Sequence, residues 1–362
     1  MMAKILIDLE RLRYPNSGIA NVFRNLTKGL LKTNSKFQIT YFGSKEQLSR
    51  FESESKYIYW RKTHKFFELF SNQFDLIHVS HQLSSYFHRN YKNTLKIVTL
   101  HDLNFLHENI SDSKKKKMLQ KVQNNLKNAD YIVCISKYAK QDLIHNKELF
   151  KFNKLKDIVV IHNGIELPEN KEYDLGKYVF LKNKKYILNI GVLFNKKNQL
   201  TLVEMLPYID EDLVLIASDE KQPYADEVRK KIKELNLENR VHFFKNVSEE
   251  EKYAVIQHCE AMCHPSIAEG FGIPPIEAMA FGKPVFLSTY TSLPEIGGDK
   301  AFYFDNFAPE AMSQTFKEKM NLYNADKENV SDDIKKWTKQ YSYNVMTNNY
   351  LQFYERILQI RL

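Results

Sequence analysis

The sequence predicts an α/β protein of two doubly wound domains, and three observations carry that prediction. Short β-rich apolar runs alternate with longer amphipathic stretches, as parallel βαβ units require. The alternation stops at one polar segment and restarts beyond it. A chain of 362 residues is also longer than one ordinary core accommodates.

In the first half, KILIDL (4–9), QITYFG (38–43), DLIHVS (75–80), KIVTLHD (96–102), YIVCIS (131–136) and DIVVIHNG (157–164) read as strands. IANVFRNLTKGLLK (19–32) and KKMLQKVQNNLKN (116–128) between them carry helical periodicity. The stretch PENKEYDLGKYVFLKNKK (168–185) is polar and charged, which sets an N-terminal domain over 1–170 and a C-terminal domain over 171–340. Strands resume with KYILNIGV (185–192), DLVLIAS (212–218), RVHFFK (240–245), AMCHPS (261–266), PVFLS (284–288) and AFYFD (301–305). ADEVRKKIKELN (225–236) and SEEEKYAVIQHC (248–259) are helices among them. Doubly wound sheets take ligands beyond the carboxyl ends of their strands. The candidates at those ends are Gly18 ahead of the first helix, His101 and Asp102, Ser136, Asn163 and Gly164, and Lys196, Lys197 and Asn198.

A hydrophobic fraction of 43% with 27% charged residues suits a soluble globular chain. No apolar run approaches the roughly 18 residues of a membrane span, and Asp8 and Glu10 interrupt the start where a leader would be apolar. A cytoplasmic protein is expected. Cys134, Cys259 and Cys263 lack paired spacing, which fits a reducing compartment. Cys259, Cys263 and His264 cross from a helix into a strand without a second ligand pair, so no metal site is expected. Net charge is +9 and unevenly shared: residues 1–170 hold 28 Lys and Arg against 16 Asp and Glu. The basic half implies an acidic partner, whether a phosphorylated acceptor, an anionic membrane surface or nucleic acid. Lys114 to Lys117 read as a solvated helix start with Asp112 and Ser113 as caps. YIYWRKTHKFFELF (57–70), with Trp60, Arg61, Lys62, Lys65, Phe66 and Phe67, reads either as an interfacial segment or as a half-buried helix.

The most informative segment is HPSIAEGFGIPPIEAMAFGKPV (264–285), in which seven residues separate Glu269 from Glu277. Gly270 and Gly272 bracket Phe271 at a tight turn, Pro274 and Pro275 suit a helix's first turn, and Gly282 ends the helix before Lys283 and Pro284. Amides of Phe271, Gly272 and Ile273 at that helix start suit a phosphate, whereas the carboxylates suit sugar hydroxyls. A nucleotide sugar presents both groups. The plainer alternative makes Glu277 a complement to the helix dipole and Glu269 a surface turn residue.

With SGIANVFRNL (17–26), the pair His101 and Asp102, CISKYAKQDL (134–143), VIHNGIE (160–166), GVLFNKKNQL (191–200) and the paired-glutamate block through SLPEIGG (292–298), the chain resembles the retaining glycosyltransferases of family four. The tail WTKQYSYNVMTNNYLQFYERIL (337–358) is similar to that family's closing helices, so 341–362 is expected to pack back on the first domain. The resemblance implies the GT-B fold, two facing Rossmann-like domains with the nucleotide-sugar site in the cleft, and a mannosyltransferase-like subtype. It implies acceptor binding in the first domain and donor binding in the second, with no bound metal and no cofactor beyond a GDP- or UDP-sugar donor. Glu277 would hold the ribose, Glu269 the transferred sugar, and Lys196 and Lys197 the departing diphosphate. Phe271, Gly272 and Ile273 would contact sugar and diphosphate through their amides. His101 would touch the donor sugar, and Gly18 would lie beneath diphosphate and acceptor. The sequence departs from the family at Val192, where many relatives have arginine, at Ser218 and at Asn246, where glycine is usual nearby.

The implied reaction moves a hexose, mannose favoured, to a glycan or lipid-linked acceptor in surface polysaccharide or lipopolysaccharide synthesis, with peripheral membrane contact through the basic domain. Two carboxylates at a glycosidic bond also serve hydrolysis, but Glu277 within its helix suits the nucleotide better than a water. The other readings are a sugar-nucleotide epimerase of the same fold and a basic polyanion-binding protein without activity. No nucleic-acid motif is present.

Overall fold

The computed structural model describes residues 2–15, 17–33, 36–51, 56–66, 72–108 and 110–359. The chain forms two compact units, one of Met1–Glu166 with Tyr341–Leu362 and one of Leu167–Gln340.

In the first unit, β1 (Ala3–Asp8), β2 (Phe37–Gly43), β3 (Lys56–Tyr59), β4 (Leu76–Val79), β5 (Leu95–Leu100), β6 (Tyr131–Cys134) and β7 (Asp157–Val160) form one sheet in the order β3-β2-β1-β4-β5-β6-β7. All pairs are parallel. Strands β4, β5 and β6 are buried along their whole length, as expected of a sheet covered on both faces. Helices α1 (Gly18–Lys32), α2 (Lys45–Leu48), α3 (Asp112–Leu126) and α4 (Lys137–His145) follow β1, β2, β5 and β6.

Two sequence expectations are corrected here. Lys56–Tyr59 is an edge strand on β2, followed by a 3-10 turn at Lys62–Lys65, so 57–66 is not a half-buried helix. Two tyrosines and an isoleucine in four residues favour the pleated edge. Phe67 to Phe70 lie outside the described residues. Helix α3 is capped by Ser111, whose Oγ accepts from Lys114 N at 3.4 Å, while Asp112 sits in the first turn.

A C-terminal helix (Tyr343–Gln359) belongs to the first unit. Ile165 N donates to Tyr341 O and Tyr343 N to Ile165 O, both at 2.8 Å, and these bonds hold the chain as far as Glu166 in this unit. Tyr354 Oη lies 2.7 Å from His78 Nδ1 in the core beneath.

The second unit carries β8 (Tyr186–Ile190), β9 (Asp212–Ile216), β10 (Val241–Phe244), β11 (Ala261–His264), β12 (Val285–Ser288) and β13 (Phe302–Phe304), all parallel, in the order β10-β9-β8-β11-β12-β13. Its helices are α5 (Gln199–Met205), α6 (Tyr224–Glu234), α7 (Glu249–His258), α8 (Ile273–Ala280), α9 (Leu293–Gly297), α10 (Pro309–Ala325) and α11 (Lys327–Thr338). Gly282 ends α8 with φ +73, and its amide and that of Lys283 return to Met279 O and Ala278 O. In the polar stretch before β8, Tyr178 stacks on Phe244 with ring centroids 4.1 Å apart, which seats those turns on the second core.

Candidate functional site

The second sheet changes winding direction between β8 and β11, because β8 passes on one side to β9 while β11 continues to β12 on the other. Loops leaving these two strands therefore diverge and leave a crevice at their carboxyl ends. After β8 comes a 3-10 turn at Asn195–Lys197, closed by Asn198 in the left-handed region at φ +57. After β11 comes the turn 265–272. Ile267 N and Ser266 Oγ both donate to Lys196 O, at 2.9 and 3.0 Å, so the two loops are tied together.

This stitching brings Lys197 against Glu269. Glu269 Oε1 pairs with Lys197 Nζ and also accepts from His264 Nε2 at 2.7 Å. Burial by itself raises the Glu269 pKa, but Lys197 and His264 outweigh it and hold the carboxyl far below its ordinary value. The carboxylate is thus ionised at any physiological pH. Its backbone is fixed as well: Glu269 N donates to Thr291 Oγ1 at 3.0 Å, and Ser292 Oγ donates to Glu269 O at 3.2 Å and to Phe271 O at 2.9 Å.

The turn ends in Gly272, which takes φ +112 as the N-cap of α8 without any side-chain cap. Pro274 and Pro275 in the first turn have no N–H to satisfy, so the amides of Gly272 and Ile273 remain as donors, with no hydrogen bond among the described residues. Phe271 is buried. Glu277 is also buried, on the first turns of α8, and pairs with Lys252 Nζ of α7 at 2.7 Å. Each glutamate of the pair therefore has its own lysine. Lys196 lies over the Phe194 ring at 5.6 Å. Beyond β10, Asn246 adopts φ +53, the conformation that a glycine there would take without strain.

Gly18 and His101 belong to the first unit, where the sheet reverses between β1 and β4. Gly18 opens α1 behind Ser17, whose Oγ accepts from Ala20 N at 3.2 Å. His101, just past β5, is buried; its Nε2 donates to Ser80 O at 2.9 Å, and burial lowers its pKa to about 4. The ring is neutral with Nδ1 as an acceptor. His81 stacks on it with centroids 4.9 Å apart. Leu83 N donates to His81 Nδ1 at 2.9 Å, so His81 carries its proton on Nε2. Beside them, Ser84 Oγ lies 2.9 Å from Asp8 Oδ2 and 3.1 Å from Glu10 Oε2, and Arg13 pairs with Glu10 Oε1 at 3.1 Å. Burial and the neighbouring Glu10 raise the Asp8 pKa to about 7.

Sequence reasoning did not find several of these groups. Asp8 and Glu10 served only to argue against a leader, and His264 only to argue against a metal. The spacing of Asp8 and Glu10 places them at a strand end, which was the available signal. Lys252, Ser84, Thr291 and Ser292 meet their partners only through the fold.

Two family models match: Glycosyl transferases group 1 over residues 170–339 and Glycosyltransferase Family 4 over residues 17–169. Among curated proteins, the chain is 30% identical over 147 residues to the O-antigen chain mannosyltransferase RfbU of Salmonella typhimurium, covering 40% of this chain and 39% of that one. It is 23% identical to the serotype-specific mannosyltransferase WbdA of Escherichia coli, covering 57% and 27%. The chain thus spans well under two thirds of the length of these relatives. Among solved structures, Anabaena HepE in complex with UDP and glucose is 16% identical with a TM-score of 0.72, covering 98% of this chain and 100% of that one. Sucrose-phosphate synthase from Thermosynechococcus elongatus is 18% identical with a TM-score of 0.73, covering 99% and 100%.

Proposed function

We propose, from the premise that this chain belongs to the family-four glycosyltransferases, that it transfers a hexose from a nucleotide diphosphate sugar with retention of configuration. The observation that carries the proposal is the meeting of Glu269, Lys197 and the uncapped start of α8 around one strand-end turn. An ionised carboxylate accepts hydrogen bonds from sugar hydroxyls, while an ammonium and a helix start receive the diphosphate. Mannose is favoured as the sugar, because RfbU and WbdA are mannosyltransferases. The donor base is guanine or uracil, and the acceptor is a glycan or a lipid-linked glycan. Residues 171–340 bind the donor and residues 1–170 the acceptor, and among the described residues no helix is long and apolar enough to cross a membrane.

Breaking the glycosidic bond places negative charge on the leaving diphosphate, and Lys197 with Lys196 and the α8 amides stabilise that charge as it develops. Glu269 holds hydroxyls of the sugar while its anomeric centre becomes oxocarbenium-like. Glu277 holds the ribose. The acceptor hydroxyl bonds to the anomeric carbon on the face the diphosphate leaves, and its proton passes to the diphosphate. No enzyme nucleophile is consumed.

The test is release of nucleotide from GDP- and UDP-hexoses in the presence of candidate glycan acceptors. Activity that depends on an acceptor and is lost in Glu269→Ala supports the transferase; product formed from the nucleotide sugar alone identifies an epimerase. Failure of every donor to bind or react, with Glu269→Ala indistinguishable from wild type, overturns the reading.

A further inference from the structure

His264 ends β11 with its side chain 1% exposed and aims Nε2 at Glu269 Oε1 from 2.7 Å. Facing an ionised carboxylate, that nitrogen carries the ring's proton. Its other nitrogen, Nδ1, is buried with no hydrogen-bond partner. A second proton there would be a buried N–H without an acceptor, so the ring is held neutral with its single N–H directed at Glu269. Burial, which lowers the His264 pKa, acts the same way. A bare buried acceptor is a cost that an apolar residue would avoid, and what the ring gains in return is the bond made by its other nitrogen.

What that end does follows from the sharing of Oε1. Lys197 and His264 converge on the same oxygen, and among the described residues Oε2 has no hydrogen-bond partner. On the reading of Glu269 and Lys197 given above, Lys197 serves the diphosphate when the donor is bound and cannot then neutralise Glu269 at the same range. We infer that His264 is a positioning residue which retains Glu269 Oε1 when Lys197 turns to the diphosphate, keeping the carboxylate ionised and its second oxygen presented to the transferred sugar. A neutral ring fixed to a central strand suits this task. A cation there would itself be drawn to the diphosphate and would weaken the carboxylate's hold on the sugar.

The experiment compares His264→Leu, which keeps bulk and removes the donor, with His264→Gln, whose amide N–H reaches the same oxygen, and His264→Asn, whose shorter arm does not. Turnover and donor KM are measured across pH with the donor and acceptor that the wild type uses. The expected result is a fall in kcat of about 100-fold in His264→Leu with donor KM changed by less than about 3-fold, and recovery to within about 10-fold of wild type in His264→Gln. Among the described residues the charged and titratable groups facing Glu269 are Lys197 and His264, so the acid limb of kcat/KM moves to higher pH in His264→Leu and stays in place in His264→Gln. His264→Leu within about 3-fold of wild type overturns the inference and leaves the transferase reading intact. If that variant does not fold, equal activity of the Gln and Asn variants overturns it, and activity in the Gln variant alone supports it. A wild type that uses no nucleotide sugar overturns the transferase reading and this inference with it.

Discussion

Lys252 Nζ and Glu277 Oε1 form an ion pair of 2.7 Å in which the two side chains are 18% and 9% exposed, and the second carboxylate oxygen has no partner among the described residues. Removing the cation alone leaves a mostly buried carboxylate, which is where the cost of breaking such pairs arises. Lys252→Met is therefore expected to lower unfolding stability by about 3 kcal/mol. The double variant Lys252→Met/Glu277→Gln should lose less than the two single variants added together, by about 1 to 3 kcal/mol. Urea unfolding of the four proteins measures the coupling, and strict additivity would show that the pair contributes nothing.

The ligand role proposed for Glu277 separates from its ion pair. Its unpartnered oxygen suits a ribose hydroxyl. Glu277→Gln should weaken nucleotide binding about tenfold, the loss of one charge-assisted hydrogen bond, whereas Lys252→Met should change it about 3-fold or less. Titration calorimetry with GDP and UDP distinguishes the two, and equal losses would assign the effect to helix α8 rather than to the carboxylate.

In the proposed function the Lys197–Glu269 pair serves chemistry rather than folding. Lys197→Met is expected to reduce kcat by about 100- to 1,000-fold, because on the proposed function it removes a cation that stabilises the charge on the departing diphosphate. Its donor KM should rise less than its kcat falls. Steady-state kinetics with the preferred donor tests the split; an effect confined to KM would mean that Lys197 binds the ground state alone.

The legibility of this chain followed the range of the interactions. Strands such as 186–190 and 261–264 were legible because burial of nearly every residue leaves an apolar run in the sequence itself. The α8 segment was also legible, since its glycine turn, double proline and terminal Gly282 are each local requirements of the backbone. The edge strand Lys56–Tyr59 was not, because an edge mixes aromatic and charged residues much as a half-buried helix does. His264 and Lys252 acquire meaning only from partners brought to them by a turn or another helix. Gly164 was noted as a strand-end glycine, but the reason for it lies near residue 343, far along the chain.

That glycine supports a further prediction. A Cβ at Gly164 would stand 2.5 Å from Tyr343 Cα, 2.8 Å from Met346 Cβ and 3.0 Å from Ser342 O. Gly164→Ala is expected to destabilise the first unit by about 2 kcal/mol or more through displacement of the C-terminal helix. Met346→Ala should not restore it, since Met346 keeps its Cβ and Tyr343 Cα is backbone. Thermal unfolding of the single and double variants decides the point, and restoration by Met346→Ala would place the conflict in the side chain instead.

The acid stability of the first unit depends on opposing groups in one small region. Burial lowers the His78 pKa to about 3 and the His101 pKa to about 4, and it lowers His81 as well. Each histidine stays neutral in the folded chain while its unfolded counterpart takes a proton below about pH 6.5, so stability is full above that pH and declines as pH falls towards the folded value. At pH 5 the loss is about 2 kcal/mol for each of His78 and His101. Asp8 has the opposite sign: raised to about 7, it takes a proton in the folded state first and adds stability as pH falls from 7 to 4. Its gain by pH 5 is also about 2 to 3 kcal/mol, enough to offset one histidine. Asp8→Asn removes that gain and is expected to steepen the loss of stability between pH 7.5 and pH 5 by about the same amount. Urea unfolding of both proteins at the two pH values is the measurement, and parallel losses would mean that Asp8 is already ionised at pH 5.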